Sequence, residues 1–347
     1  HIRIIREAKK FIFIENQYFS TDFPSSSFEC QHGHVRSEAV LYSGATNRIG
    51  EVLLDRIKRA GRLSEDFSVA VIVPLGTEPG SFYPNLRGTY CFEQAVEDFW
   101  KAENLQSDWH DYFSFFFLAN AVEAPKHMGG PGSAFYGIFT HTKAIFADDK
   151  VALIGSANIN DRSMNGDRDA EVGIKIWGGS AVRRFREILM KDHLGDATLA
   201  DPKRLLASLR SIAEANAKEV KRTMGINFPE GTITRGNRTQ QFFGMKGLMN
   251  VNPISNAAIE YPDSRVIAGG GGVDTFKWFV VEKAETPRLQ GLLFPWSRSI
   301  WGLPKVTQIA QIVSKEFSWV ELPERQEGVA GEGDDMPPGD WVAPPSS

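Results

Sequence analysis

Two short apolar runs joined by a charged turn constrain this 347-residue chain more than any other feature. The runs Lys143 to Ala147 and Val151 to Ile154 flank Asp148-Asp149-Lys150, and apolar runs separated by such a turn signal are typical of a β-hairpin. His141 and Lys143 are two residues apart, so on a strand their side chains project from the same face. The hairpin is therefore expected to present an imidazole and an ammonium group side by side.

Small polar groups follow the second run. Gly155 lets the backbone approach a neighbour closely, and Ser156 and Asn158 again share one face of an extended chain. Farther on, Ala170 to Trp177 has the composition of another strand, with Glu171 near its start. The pattern predicts that hydroxyl and amide donors and one acid gather beside the imidazole and the ammonium.

These side chains suit the chemistry of a phosphate ester. A neutral imidazole, with a pKa of about 6.5, can attack phosphorus or transfer a proton near neutral pH. Lys143, Ser156 and Asn158 can hold the non-bridging oxygens and stabilise the charge of a five-coordinate transition state. Glu171 can accept a hydrogen bond from the far ring nitrogen of His141 and fix its tautomer. Such chemistry requires no metal ion and no other cofactor, and none is predicted.

Helical and strand patterns alternate before this hairpin. An amphipathic helical pattern at the start of the chain is followed by the apolar run Phe11 to Glu15. A helical pattern over Asn47 to Ala60 precedes the apolar run Ser68 to Val73, and one over Phe92 to Glu103 precedes Tyr112 to Ala119. This alternation predicts the α/β class, with a mixed β-sheet flanked by helices on both faces.

The motif itself resembles that of a known family. The spacing H-x-K-x-x-x-x-D from His141 to Asp148, followed by G-S-x-N from Gly155 to Asn158, resembles the signature of the phospholipase D superfamily. The longer run from His141 to Glu171 resembles the second such motif of eukaryotic phospholipases D. Ile14-Glu15-Asn16-Gln17-Tyr18-Phe19 resembles the strand motif that opens their C-terminal half, and Asp192-His193-Leu194-Gly195 resembles the helix end after their second motif.

The resemblance, which covers roughly Phe11 to Gly225, implies one lobe of a two-lobed fold. It implies hydrolysis of phosphatidylcholine to phosphatidate and choline through a phosphohistidine, with transphosphatidylation to primary alcohols. In that scheme His141 is the general acid and base, and Glu171 orients its ring. The catalytic residues implied are His141, Lys143, Asp148 and Glu171. The phosphate-binding residues implied are Lys143, Ser156 and Asn158. Within the motif, Asp148 is expected to hold the hairpin turn rather than react.

The chain contains one such motif, whereas the resemblance implies two that meet. No other histidine is followed two residues later by lysine; these are His1, His32, His34, His110, His127 and His193. The expected partner is therefore an N-terminal half with the first motif, or a second copy of this chain. Two alternatives stay open. One is a non-catalytic C-terminal half that binds lipid or a partner, with Lys143 in a structural salt bridge to Asp148 or Glu171. The other is a homodimeric single-motif phosphodiesterase.

The net charge bears on which partners the protein can bind, and the cysteine content bears on the compartment in which it lies. A net charge of -4 and a pI near 6.0 give no general attraction to nucleic acid, so none is predicted as a partner. The predicted substrate is a membrane phospholipid, which suggests a cytoplasmic protein attached peripherally to the membrane surface. Cys30 and Cys91 do not make a disulfide framework, which favours a reducing compartment. Cys30, His32 and His34 alternate like zinc ligands, but an ordinary loop is the preferred interpretation.

Three segments are predicted. Residues 1–226 form the catalytic lobe, 227–327 an extension packed on the lobe, and 328–347 a disordered tail rich in acidic residues, glycine and proline. Within the extension, the apolar stretch Leu289 to Gly302 is expected to pack against the lobe rather than enter a bilayer.

Overall fold

A mixed β-sheet forms the centre of the protein. The computed structural model describes residues 1–23, 47–75, 79–123, 132–164, 169–195, 204–228, 232–235, 238–241, 279–282 and 284–298. The helices are α1 (Ile2–Glu7), α2 (Ile49–Leu63), α3 (Pro79–Ala102), α4 (Asp161–Met164), α5 (Gly179–Leu194) and α6 (Leu205–Met224), with a 3₁₀ turn at Trp109–Asp111. The strands are β1 (Phe11–Asn16), β2 (Ser68–Ile72), β3 (Phe113–Glu123), β4 (Gly132–Ile138), β5 (Lys143–Ala147), β6 (Val151–Gly155), β7 (Gly173–Trp177), β8 (Ile226–Asn227), β9 (Thr232–Arg235), β10 (Arg238–Gln241), β11 (Phe279–Glu282) and β12 (Leu293–Pro295).

Three parallel strands lie in the middle of this sheet. The order is β11-β4-β3-β2-β1-β5-β6-β7, and β12 also pairs with β3. β2 is parallel to both β1 and β3, whereas β5 is antiparallel to β1, and β4 is antiparallel to β3. Parallel neighbours need a crossover connection, and α2 supplies it between β1 and β2. The short strands β8, β9 and β10 form a separate sheet.

The central strands place their side chains in two cores, because successive residues of a strand point to opposite faces. In β1, Ile12 and Ile14 face the core covered by α1, α2 and α3, while Phe11 and Phe13 face the core covered by α5 and the first half of α6. The same alternation continues along β2, β3 and β5. The prediction of a mixed sheet with helices on both faces is confirmed.

The predicted hairpin is formed by β5 and β6. These strands pair antiparallel, with Ala147 opposite Val151. Asp148 and Asp149 in the turn have φ angles of 56° and 53°, in the left-handed region that aspartate tolerates better than most residues.

His141 lies just before β5 rather than on it, so the expectation that it shares a strand with Lys143 is wrong. The reason is that β1 ends at Asn16, which pairs with Lys143. Beyond that pair, the ladder between β1 and β5 has no further partner for the backbone of His141.

Part of the C-terminal extension joins the main sheet. β11 pairs with β4, and β12 pairs with β3. Leu293, Phe294 and Trp296 are buried, so the described part of this stretch packs against the main sheet. The predicted tail and the alternating ligands Cys30, His32 and His34 lie outside the described residues.

The cysteine expectation needs a correction. Cys91, on α3, is disulfide-bonded. The expectation of reduced cysteines is therefore wrong for Cys91, since two cysteines in a long chain carry little information about pairing. The cysteines therefore give no support to a reducing compartment.

The edge strand β7 is unusually open to solvent for an apolar strand. Val172, Ile174 and Trp177 are 73%, 67% and 68% exposed. On the neighbouring helix α5, Phe185 and Ile188 are exposed as well. We call these five residues the β7/α5 surface.

Candidate active site

Lys143 is anchored at the carboxyl end of β1. Its Nζ donates to Gln17 Oε1 at 2.8 Å and to the backbone carbonyl of His141 at 2.7 Å. The side chain is buried, at 8% exposure, because β5 begins opposite Asn16, where β1 ends. These contacts fix the ammonium group and the backbone of His141 relative to each other.

The loop that carries Ser156 and Asn158 is tied to the same strand end. Asn16 Oδ1 accepts from the backbone N–H groups of Tyr18 and Ile159, both at 3.1 Å. The backbone N–H of Ser20 donates to the carbonyl of Ile159 at 2.8 Å. Asn16 therefore holds the turn and the loop together, while Gln17 contacts the ammonium group.

The imidazole of His141 is exposed, while hydrogen bonds fix the residues on either side of it. Thr140 Oγ1 donates to Glu15 on one side, and Lys143 binds the His141 carbonyl on the other. The side chain of His141 is exposed, and within the described ranges its ring makes no hydrogen bond. The ring is thus accessible to a ligand while its backbone is restrained.

Ser156 and Glu171 form a pair of their own. Ser156 Oγ donates to the Glu171 carboxylate and accepts from the backbone N–H of Val172, the latter at 3.0 Å. The predicted hydrogen bond from His141 to Glu171 is not formed here. The expected close approach at Gly155 is confirmed, since a Cβ there would lie 2.3 Å from the Val172 carbonyl oxygen.

Asn158 carries a polar atom that lacks a partner. Its Oδ1 is buried and accepts no hydrogen bond from the described residues. Among the described residues no partner fixes the amide orientation, and the flipped amide would place its donating nitrogen at this position. A phosphate oxygen can satisfy such a donor, in keeping with the predicted role of Asn158.

Asp148 ties the hairpin to the start of the sheet. Its carboxylate accepts from the backbone N–H groups of Lys9, Lys10 and Phe11 at 2.8, 2.7 and 3.0 Å. These donors lie between α1 and β1, where Phe11 begins the strand. The contacts of Asp148 are structural, as expected, but they hold the entry to β1 in addition to the turn that carries the residue.

Sequence reasoning missed the buried ion pair next to Asp148. Arg186 is fully buried, and its Nε and NH2 donate to the two carboxylate oxygens of Asp149 at 2.7 and 3.0 Å. Arg183 adds a longer contact at 3.3 Å. The pair joins the turn of the hairpin to α5. In the sequence, Asp149 is indistinguishable from an ordinary turn residue.

A second missed pair lies directly behind the candidate site. His193 Nε2 is 2.7 Å from Glu15 Oε2, and both side chains are buried. Burial raises the pKa of Glu15, but hydrogen bonding and charge interaction with His193, with further hydrogen bonds from Thr140 and Thr142, outweigh it and leave the pKa below its usual range. The carboxylate is therefore ionised beneath the backbone that presents His141.

In the described ranges, no group of three or more histidine, cysteine, aspartate or glutamate side chains is placed to hold a metal ion. None of the described helices is both long and apolar enough to cross a bilayer.

The site combines an exposed imidazole, an anchored ammonium group and small polar groups at one end of an α/β sheet, a set that suits binding of a phosphate group. The family model described as Phospholipase D matches residues 1–231, more than half of the chain. The chain belongs to the phospholipase D family.

Named relatives agree with this assignment. A phospholipase D of Phytophthora infestans is 30% identical over 256 residues, covering 63% of this chain and 13% of that protein. Phospholipase D alpha 1 of Arabidopsis thaliana is 31% identical over 250 residues, covering 62% of this chain and 30% of that protein. The matched region is thus less than a third of the length of either relative. Among solved structures, NucT from Helicobacter pylori has a TM-score of 0.30 and 15% identity, covering 55% of this chain and 82% of that one.

Proposed function

We propose that this chain supplies the second-motif half of a phospholipase D that hydrolyses phosphatidylcholine to phosphatidate and choline. The observation that carries the proposal is the anchoring of the Lys143 ammonium by Gln17 and by the carbonyl of His141. This arrangement places a fixed positive charge beside an exposed imidazole. A phosphodiester needs both, the charge for its non-bridging oxygens and the imidazole for proton transfer.

In the proposed reaction, a histidine of the partner motif bonds to phosphorus as the bond from phosphorus to the choline oxygen breaks. His141, in its protonated form, donates its proton to that oxygen. The neutral ring then removes a proton from water, whose oxygen attacks phosphorus and displaces the partner histidine. A primary alcohol in place of water gives transphosphatidylation. Ser156 and Asn158 would bind phosphate oxygens, and Glu171 would orient the ring after exchanging its contact with Ser156.

The proposed partner is a second motif-bearing lobe, either an N-terminal half or a second copy. The exposed apolar side chains of the β7/α5 surface support it, because a partner lobe would cover them. β7 begins two residues after Glu171, so the patch adjoins the candidate site. Since the substrate is a membrane lipid, we place the action at a membrane surface, with peripheral attachment.

The test is choline release from phosphatidylcholine vesicles by the purified chain, compared with its His141→Ala and His110→Ala variants. His110 serves as a matched control because it is half-exposed and lies outside the motif. The proposal expects release only with a second motif present, either supplied as a separate N-terminal lobe or by a second copy. His141→Ala should abolish release, and His110→Ala should leave it unchanged.

Release by the chain alone, rising with the square of chain concentration, would identify a second copy as the partner and make this chain a homodimeric single-motif phosphodiesterase. One outcome would replace the proposal. A folded chain that binds vesicles equally well with and without His141, and releases no choline with any second motif, would be a binding module.

A further inference from the structure

A cavity of about 400 Å³ lies away from the candidate active site. It opens between the first half of β3, α6, the 3₁₀ turn and the residues after β12. β3 and β5 are separated in the sheet by β2 and β1, a distance of about 14 Å at the usual strand spacing. None of the residues implied in catalysis lines this cavity.

The walls of the cavity are aromatic. The aromatic lining residues are Trp109, Phe115, Phe116, Phe228 and Trp296. Four of them are almost fully buried, and Phe115 and Trp296 pack edge to face with ring centroids 5.3 Å apart. This packing means that the apolar wall is present before any ligand binds. A volume near 400 Å³ falls toward the lower end of the range of ligand pockets, about 300–1,000 Å³.

One rim of the cavity is cationic. Helix α6 contributes three cationic residues to this rim, Arg210, Lys218 and Lys221. The two lysines follow Arg210 by about two and three helical turns. Arg210 lies 3.5 Å from Asp111 and 4.0 Å from Glu214. Lys218 and Lys221 are exposed and form no ion pair with any residue that the structure describes.

The acidic residues of the lining do not cancel this charge. The Glu93 carboxylate lies 3.3 Å from Nε of Arg298. The Glu214 carboxylate is the one that lies near the guanidinium of Arg210. Among the described residues, Lys218 and Lys221 are therefore the cations of the opening that have no carboxylate within ion-pair distance.

We propose that this cavity binds an amphiphilic anion, with its alkyl chain against the aromatic wall and its head group between Lys218 and Lys221. The small volume fits a head group and a short length of chain. Apolar burial supplies the affinity for the chain, and the lysines select an anionic head over a neutral one. The shared chemistry covers two sources, a phosphate monoester lipid and a fatty acid. The proposal does not depend on the function proposed for the His141 site.

The test is isothermal titration calorimetry of the full chain with four compounds. n-Octyl phosphate and octanoate carry an anionic head on the same chain, n-octyl glucoside carries a neutral head, and inorganic phosphate lacks the chain. We expect saturable binding of n-octyl phosphate or octanoate, with n-octyl glucoside and inorganic phosphate about tenfold weaker or worse. The tighter of the two anionic compounds identifies the source. Equal binding of n-octyl glucoside, or no saturable binding of either anionic compound, overturns the proposal.

Two variants locate the binding. Replacing both pocket lysines, Lys218→Gln with Lys221→Gln, should weaken binding of the anionic compounds about tenfold. Replacing two exposed lysines elsewhere, Lys10→Gln with Lys191→Gln, changes the net charge equally and should leave binding unchanged. Binding that Lys143→Ala removes, and that the pocket variant does not weaken, would assign the anion to the His141 site and overturn the proposal.

Discussion

Replacing Asp148 with alanine should weaken folding rather than chemistry. The substitution leaves three backbone N–H groups, of Lys9, Lys10 and Phe11, without their carboxylate acceptor. Two of these hydrogen bonds are exposed and one is half-buried, so we take about 1 kcal/mol for each, within the usual net range. Alanine also fits the φ of 56° poorly, which adds about 1 kcal/mol. The free energy of unfolding should therefore fall by about 3–4 kcal/mol.

The assay is equilibrium urea unfolding followed by far-ultraviolet circular dichroism. Asp148→Asn should lose roughly half as much, because asparagine keeps one acceptor oxygen and tolerates the left-handed conformation. Asp55→Ala, an exposed substitution on α2, is the control and should change the free energy by less than about 0.5 kcal/mol. If Asp148→Ala is as stable as that control, then the three hydrogen bonds do not hold the entry to β1, and Asp148 must be explained by chemistry.

Three further predictions follow from the buried charges, each checked by urea unfolding. Arg186→Ala leaves the buried Asp149 carboxylate with only the longer contact from Arg183 and should cost about 3–5 kcal/mol; no loss would mean that water or Arg183 compensates the charge. Burial raises the pKa of Glu93 from 4.5 to about 7, although nearby Arg298 acts in the opposite direction. The folded state thus resists ionisation, and stability should fall by about 2.5 kcal/mol between pH 5 and pH 8, a slope that Glu93→Gln should remove. The pKa of Glu15 is instead lowered, so the stability that it contributes is present above pH 4.5 and is lost as the pH falls through the folded-state pKa. Glu15→Gln should make stability less dependent on pH in this acidic range. An unchanged pH dependence in the variant would contradict the assignment.

The hairpin and the two-sided sheet were predictable because their signals are local. The apolar runs of β5 and β6 lie close together in the chain, and a turn signal stands between them. The central strands are buried on both faces, so their apolar runs are continuous and easily recognised. The separate contacts of Asn16 and Gln17, in contrast, were not distinguishable in advance.

The pairs that support the site were not predictable, because they join distant parts of the chain. Glu15 and His193 are 178 residues apart, and they meet only because α5 packs against the sheet next to β1. Asp149 and Arg186 depend on the same packing. The partner of Glu171 was predicted from chemical role alone, which did not reveal the competing contact with Ser156. The chemical role of a residue can be predicted from its type, whereas its contacts can be predicted only when the positions of the helices and strands are known.

The edge strand β7 also governs how this chain behaves at high concentration. An exposed apolar strand offers its unpaired backbone groups to any other strand, and identical chains can join edge to edge into ribbons. Lys175 occupies the middle of β7, with its Nζ 4.7 Å from the ring centre of Trp177. Antiparallel pairing of two copies about this position would set two lysines directly opposite each other, which is unfavourable. The exposed apolar side chains of β7 can therefore still bind another surface, while the charge of Lys175 disfavours pairing of its edge with the same strand of another copy.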